Sequence, residues 1–104
     1  MNHAEWKTRR HRKLLGEAVE GSPEYDRLYE EAELAHDLGQ LVHDRRSALG
    51  LSQTELAERC SMQQPQISRI EGGGTVPTIP LLRRLARALD ADLTIDLTPH
   101  DEAA

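Results

Sequence analysis

The stretch Ser52-Gln53-Thr54-Glu55 obliges a helix to begin at a defined place. The Ser52 hydroxyl can accept from the Glu55 backbone amide while the Glu55 side chain reaches back to the Ser52 amide, a capping box. The helix opened there ends near Cys60. A second runs over roughly 64–71 and is closed by Gly72 or Gly73 in the left-handed conformation. Three residues or so join the two. Leu56, Ala57 and Cys60 face inward from the first helix, and Ile67 and Ile70 from the second. Ala57 falls where the helices cross, and its small side chain lets them approach closely.

The remaining chain must supply the core around this pair. With 104 residues there is room for one domain and one modest core. Aromatic residues are Trp6, Tyr25 and Tyr29, with no Phe, so the core is built from Leu, Ile, Val and Ala. Residues 4–20 read as a weak helix with apolar positions Trp6, Leu14, Leu15, Ala18 and Val19. The Gly-Ser-Pro at 21–23 breaks it, with Ser22 as an N-cap and Pro23 at the first helical position of the next helix. That long helix carries Tyr25, Leu28, Tyr29, Ala32, Ala35, Leu38, Leu41, Val42 and Leu49 at helical spacing. Gly39 bends it or splits it, and Gly50 stops it. Thr78 caps a fifth helix with Leu81, Leu82, Leu85, Ala86 and Leu89. Asp92-Leu93-Thr94-Ile95-Asp96-Leu97 alternates with period two and reads as a half-buried strand. Lacking another strand to pair with, it is expected to pair with the same strand of a second copy through Leu93, Ile95 and Leu97. An extended tail packed on the chain's own helices is the alternative. The fold class expected is all-α: a five-helix bundle plus one C-terminal β-strand paired across a homodimer. The domain boundaries expected are an N-terminal helical extension over 1–23, the domain with its dimerisation strand over 24–97, and a disordered tail over 98–104.

Composition narrows the function. The single cysteine, Cys60, sits at an inward position, forms no internal disulfide and fits a reducing cytoplasm better than a secreted class. No apolar run reaches the length of a membrane span, and the N-terminus lacks the apolar core of a signal peptide. His36 and His43 have no companion ligands that would make a metal set. Gly72-Gly73-Gly74 follows no strand and is not a phosphate loop, and no catalytic serine motif occurs. No cofactor and no enzymatic activity are expected. The net charge of −5 is unevenly spread. Lys7, Arg9, Arg10, Arg12 and Lys13 make the N-terminus basic, whereas residues 16–44 carry nine acids against Arg27. The basic terminus is a DNA arm, a contact helix for a protein partner, or a solvated end. The acidic segment is a docking face for a basic partner or a solvated helix face. Local potential, not the total, decides whether nucleic acid can bind.

The two short helices follow the logic of a helix-turn-helix, in which the second helix enters the major groove and its first residues meet base edges. This explains the side-chain amides crowding its start. A Gln has both donor and acceptor and can bind adenine N6 and N7 together, and an Arg can grip guanine O6 and N7. The stretch GLSQTELAERCSMQQPQISRIEGG resembles the phage-repressor-like (Xre-type) helix-turn-helix family. The resemblance rests on Gln53, Glu-Leu-Ala at 55–57, Ile-Ser-Arg-Ile-Glu at 67–71 and the following Gly, and covers about residues 41–90. It implies a DNA-binding face of Ser52, Gln53, Thr54, Gln63, Gln64, Gln66, Ser68 and Arg69. Within it, Gln53 resembles a phosphate-gripping position, Gln64 and Arg69 resemble base readers, and Arg46 with Glu71 resembles a structural ion pair. Two departures stand out: Ser61 replaces the usual turn Gly, and Pro65 sits near the front of the recognition helix. Trp6, Tyr25-Asp26-Arg27-Leu28, the acidic helix and the terminal Leu-x-Ile-x-Leu are also similar to HigA-type antitoxins of toxin–antitoxin pairs. That resemblance implies a cytoplasmic homodimer that binds a palindromic double-stranded operator, represses its own operon and neutralises a RelE-like ribonuclease toxin. The alternatives are a stand-alone Xre-type repressor without a toxin, and a protein-interaction module that no longer binds DNA.

Overall fold

The computed structural model describes residues 21–100, which form four helices: α1 Pro23–Ala48, α2 Gln53–Arg59, α3 Gln64–Glu71 and α4 Ile79–Ala88. Each start is chemically marked. The Ser22 hydroxyl accepts from the Tyr25 amide at 3.0 Å, with Pro23 in the first turn. The Ser52–Glu55 capping box is complete, its bonds 3.0 and 2.8 Å long. Thr78 Oγ1 accepts from the Leu81 amide at 3.3 Å, and Pro80 lies in the first turn of α4.

All four helices end in the same way. The amides of Leu51, Met62, Gly74 and Ala91 each bond a carbonyl five residues back, on Arg46, Ala57, Arg69 and Ala86. The amides one residue earlier bond three back, which completes a Schellman motif at every C-terminus. The motif needs a left-handed residue at the position after the cap. Gly50 and Gly73 supply it at φ +70° and +74°, but Ser61 and Asp90 are held there at +56° and +54°. A side chain at positive φ carries strain that a glycine does not.

The long first helix runs unbroken through Gly39. This residue is buried, and a Cβ built on it would collide with the carbonyl oxygen of Ile70 and stand 2.8 Å from that of Glu71. Gly39 therefore marks a close crossing of α1 over the end of α3 and not a bend. The core gathers around it from all four helices: Val42, Leu56, Ala57, Cys60, Ile67, Ile70, Leu85 and Leu89. Cys60 Sγ–H points to the Leu56 carbonyl at 3.1 Å, and burial pushes its thiol pKa up, so it behaves as a small apolar residue. Arginines seal the far end of the bundle. Arg45 donates to the Leu89 and Asp90 carbonyls at 2.9 and 3.1 Å, and Arg59 to the Ala88 carbonyl at 3.1 Å, occupying the orphan carbonyls of α4.

The five-helix bundle with a C-terminal β-strand is corrected on both counts. The described residues hold four helices and no strand. The helix expected over 4–20 lies outside the described residues, as do most of the expected N-terminal extension and residues 101–104 of the tail. Residues 92–97 are irregular. The four helices and their turns consume the rest of the described chain, so no second strand is present to complete a ladder, and unpaired strand groups are not stable alone. The period-two pattern instead reports where the apolar side chains go. Leu93 folds back beside Leu38, Leu41, Val42 and Leu82, while Ile95 and Leu97 are 64% and 92% exposed. Among the described residues no helix is long and apolar enough to cross a membrane.

Replacing Ser61 with Gly removes the left-handed strain at the α2–α3 turn. The extra freedom of the unfolded Gly offsets part of the gain, so the expected stabilisation is about 0.5–1 kcal/mol. Chemical denaturation of Ser61→Gly beside the parent chain checks this; an unchanged or lowered midpoint refutes it.

Candidate nucleic-acid interface

The α2–α3 pair presents one polar face because its apolar residues all turn inward. Leu56 and Ala57 of α2 and Ile67 and Ile70 of α3 are buried, which leaves Ser52, Thr54, Gln63, Gln66, Ser68 and Arg69 exposed and Gln53 and Gln64 half-buried. Ser52 and Gln66 are partly committed to capping: Ser52 Oγ accepts from Glu55, and Gln66 Oε1 accepts from the Gln63 amide at 2.8 Å. Pro65 stands in the first turn of α3, where its missing amide leaves no bond unmade.

Beneath the face lies Glu71, a carboxylate only 4% exposed. Arg46 on α1 clasps it with two charge-assisted bonds, Nε–H to Oε2 at 2.6 Å and Nη2–H to Oε1 at 2.9 Å. His43 Nδ1 lies 3.0 Å from Oε1, and Gln53 on α2 donates to the same oxygen at 3.2 Å. Burial by itself raises the Glu71 carboxyl pKa, but the bonds from Arg46, His43 and Gln53 together outweigh it and hold the group below its ordinary value. The Arg46 guanidinium is held up in turn, by its bond to Glu71. Arg46 also donates to the Leu51 carbonyl at 2.7 Å, fixing the α1–α2 turn.

The network reaches the surface. Gln64 Nε2–H donates to Gln53 Oε1 at 2.8 Å, so the two amides run in series from the buried carboxylate to the start of α3. Gln64 keeps Oε1 and a second N–H, a donor–acceptor pair suited to an adenine edge. Arg69 is positioned differently. A Cβ on Gly74 would stand 2.7 Å from Arg69 Cγ and 3.7 Å from its Nε, so the arginine stem lies across a bare glycine backbone. Of the eight residues of the sequence-derived face, the structure leaves six exposed, half-buries Gln53 and Gln64, and joins Gln53 to Gln64 and Gln63 to Gln66 by hydrogen bonds. Leu93, Ile95 and Leu97 lie apart from that face, in the segment after α4. Sequence reasoning pairs Arg46 with Glu71 but gives His43, Gly39 and Gly74 no role at the site. His43 lies one turn before Arg46 on the same helix face, and that spacing was the available signal. Nothing in the sequence singles out Gly74.

Two half-buried glutamines chained to a buried, arginine-bound carboxylate, with an exposed polar row on the second of two short helices, fit a helix-turn-helix. The helix-turn-helix domain family matches residues 37–97, and the chain belongs to it: this is a DNA-binding helix-turn-helix domain. Antitoxin HigA1 of Mycobacterium tuberculosis is 36% identical over 83 residues, which cover 80% of this chain and 56% of that protein. The chain thus spans little more than half the length of that relative. An uncharacterized HTH-type transcriptional regulator of Methanothermobacter thermautotrophicus is 39% identical over 62 residues, 60% of this chain and 90% of that protein. The ImmF control region 10 kDa protein of Bacillus phage phi105 is 36% identical over 58 residues, 56% of this chain and 64% of that protein. No solved structure matches the chain significantly.

Removing Glu71 leaves the half-buried Arg46 without its anion and frees Gln53. Glu71→Ala is expected to cost about 3–5 kcal/mol, the range for breaking one side of a buried pair. The pH dependence has a fixed sign. Because the folded pKa lies below the ordinary 4.5, the unfolded chain binds the proton more readily, and this part of stability rises with pH. It is complete above about 4.5 and is lost as pH falls through the folded value. Thermal melts at descending pH check it: the gap between the parent and Glu71→Gln should shrink below that point. A gap that stays constant into strong acid refutes the assignment.

Proposed function

We propose that the chain is a sequence-specific operator-binding antitoxin, with α3 as the reading helix. It binds a palindromic duplex as a homodimer, represses its own operon and neutralises a RelE-like ribonuclease toxin. The observation that carries the DNA-reading part is the polar row Gln63, Gln64, Gln66, Ser68 and Arg69 on a helix whose other face is core. In this reading Gln64 and Arg69 meet bases. Ser52, Gln53 and Thr54 at the start of α2 bond phosphate, where free amides and the positive helix end favour an anion. Support for the toxin comes from the HigA1 relative and from α1. Between Glu24 and Asp37 that helix carries Glu24, Asp26, Glu30, Glu31, Glu33 and Asp37 against Arg27, beside a shallow recess lined by Tyr25 and Tyr29. An acidic, tyrosine-bearing helix suits a basic protein surface. The transcriptional regulator and the phage control protein among the relatives support a second reading, a stand-alone repressor without a toxin.

The two kinds of DNA contact separate on mutation. With an operator selected from random-sequence duplexes, Arg69→Ala should weaken operator binding by about 1–3 kcal/mol and relax one base pair per half-site. Gly74→Ala, which displaces the Arg69 stem without touching DNA, should do the same in smaller measure, and the double variant should be no worse than Arg69→Ala alone. Thr54→Ala should weaken operator and unrelated DNA alike, because phosphates carry no sequence information. Equal loss on both DNAs for Arg69→Ala removes it from base reading.

For the toxin, the product of the neighbouring reading frame is the probe. A ribonuclease from that frame should lose activity on mixing with the parent chain and keep it with a Glu30→Lys/Glu31→Lys variant. If neither chain inhibits it, the stand-alone repressor reading stands instead.

A further inference from the structure

Oε1 of Glu71 is approached by more donors than it can serve equally. Arg46 Nη2–H reaches it at 2.9 Å, His43 Nδ1 at 3.0 Å and Gln53 Nε2–H at 3.2 Å. A carboxylate oxygen offers two lone pairs, so three donors share them, and the longest of the three bonds is the first to yield. That bond belongs to Gln53, whose own Oε1 holds Gln64 at 2.8 Å. How firmly the start of α3 is set therefore depends on what the other two donors draw from the oxygen.

One of those two can change its charge near neutral pH. Arg46 and Glu71 stay ionised there, the guanidinium raised and the carboxyl lowered from their ordinary values. Histidine ordinarily titrates between about pH 5 and 8. The His43 side chain is 41% exposed, against 4% for Glu71, so the ring meets both water and the buried anion. Nδ1 carries a hydrogen, because two acceptors do not meet at 3.0 Å. The proton gained or lost is then the one on Nε2. Among the described residues the charged groups that bond the ring are Glu71 of α3 and Arg46 of α1, whose Nη2 stands 3.3 Å from Nδ1. From α2 the uncharged Gln53 reaches the same carboxylate oxygen. Asp44, next to His43 on α1, is held by Gln40 at 2.7 Å.

We propose that His43 is a positioning residue for base reading: as the ring gains its charge, Nδ1–H tightens on Glu71 Oε1, the bond from Gln53 weakens, and the Gln53–Gln64 pair loosens. The proposal rests on Gln64 reading bases and adds to that reading a dependence on pH. The sign follows from the competition. Preference for the operator is full where the ring is neutral and falls on acidification through its titration. The added positive charge acts in the opposite direction and without selectivity, drawing every duplex closer alike. The ratio of operator to unrelated-DNA affinity separates the two effects, because charge leaves it unchanged and loosened amides lower it.

Binding titrations of the full chain on a selected operator and on unrelated DNA, at constant salt and at about pH 8 and about pH 5.5, test this. The ratio should fall about fivefold on acidification, the value of one neutral hydrogen bond. His43→Asn keeps a neutral N–H donor near the place of Nδ1 and cannot take a charge. It should match the parent at the upper pH and keep its ratio at the lower. A ratio that stays constant in the parent overturns the proposal, as does one that falls equally in His43→Asn. A second measurement needs neither variant nor DNA: by NMR, the Gln53 side-chain amide signals of the parent should shift with the same midpoint as the His43 ring. Gln53 signals indifferent to the titration of the ring overturn the proposal independently. A parent that prefers no duplex at either pH removes the base reading, while the amide titration still decides whether His43 governs Gln53.

Discussion

A single buried carboxylate organises the reading face. Glu71 closes α3, yet its bonds run to α1 through Arg46 and His43 and to α2 through Gln53. Three helices that share a core of aliphatic side chains could slide over one another at little cost, since dispersion contacts are not directional. Directional bonds to one fixed anion remove that freedom. The expense of burying the charge is met locally, with two bonds from a guanidinium already held by the Leu51 carbonyl. This is why the position of Gln64 relative to Gln53 is set by the protein and not left to the ligand: the donor–acceptor chain begins in the core and ends at the surface.

The close crossing at Gly39 is what brings Arg46 to Glu71. With a Cβ at that position α1 would be pushed off the end of α3, where the Ile70 and Glu71 carbonyls lie. One and two turns further along α1, His43 and Arg46 would then fall short of the carboxylate. Packing distance and hydrogen-bond geometry are thereby one constraint, stated once by a glycine and once by an ion pair. The same economy appears at the Schellman ends. Each helix is stopped by its own backbone, which keeps the turns short and the helix starts, with their free amides, at fixed places on the surface.

Much of this was legible because it is local. Ser52 with Glu55, Ser22 with Pro23 and Thr78 mark helix starts through bonds spanning a few residues, and the inward spacing of Leu56, Ala57, Ile67 and Ile70 needs only helical geometry. What escaped was non-local or sign-ambiguous. A glycine inside a helix reads equally as a bend or as a close approach, and only the neighbour across from Gly39 decides between them. The alternation of residues 92–97 records which side chains seek apolar cover, and a strand, a packed arm and an exchanged arm all satisfy it. Gln53 was assigned to phosphate alone because the sequence cannot show that a surface amide and a buried carboxylate, eighteen residues apart, share a hydrogen bond.

An acidic chain that grips DNA needs its charges sorted, and the fold does the sorting. The acids concentrate on the first half of α1, whereas the reading face is built from amides, hydroxyls and Arg69, with Glu71 buried and neutralised by Arg46. A face of this kind attracts the phosphate backbone weakly. Fewer cationic contacts mean less counterion release, so affinity should fall less steeply with salt than for a lysine-rich domain. In the proposed reading, selectivity comes from hydrogen-bond geometry at base edges, which rewards amides held rigid before contact. That requirement returns to Glu71: the weaker the long-range attraction, the more the fold depends on orienting Gln53 and Gln64 in advance.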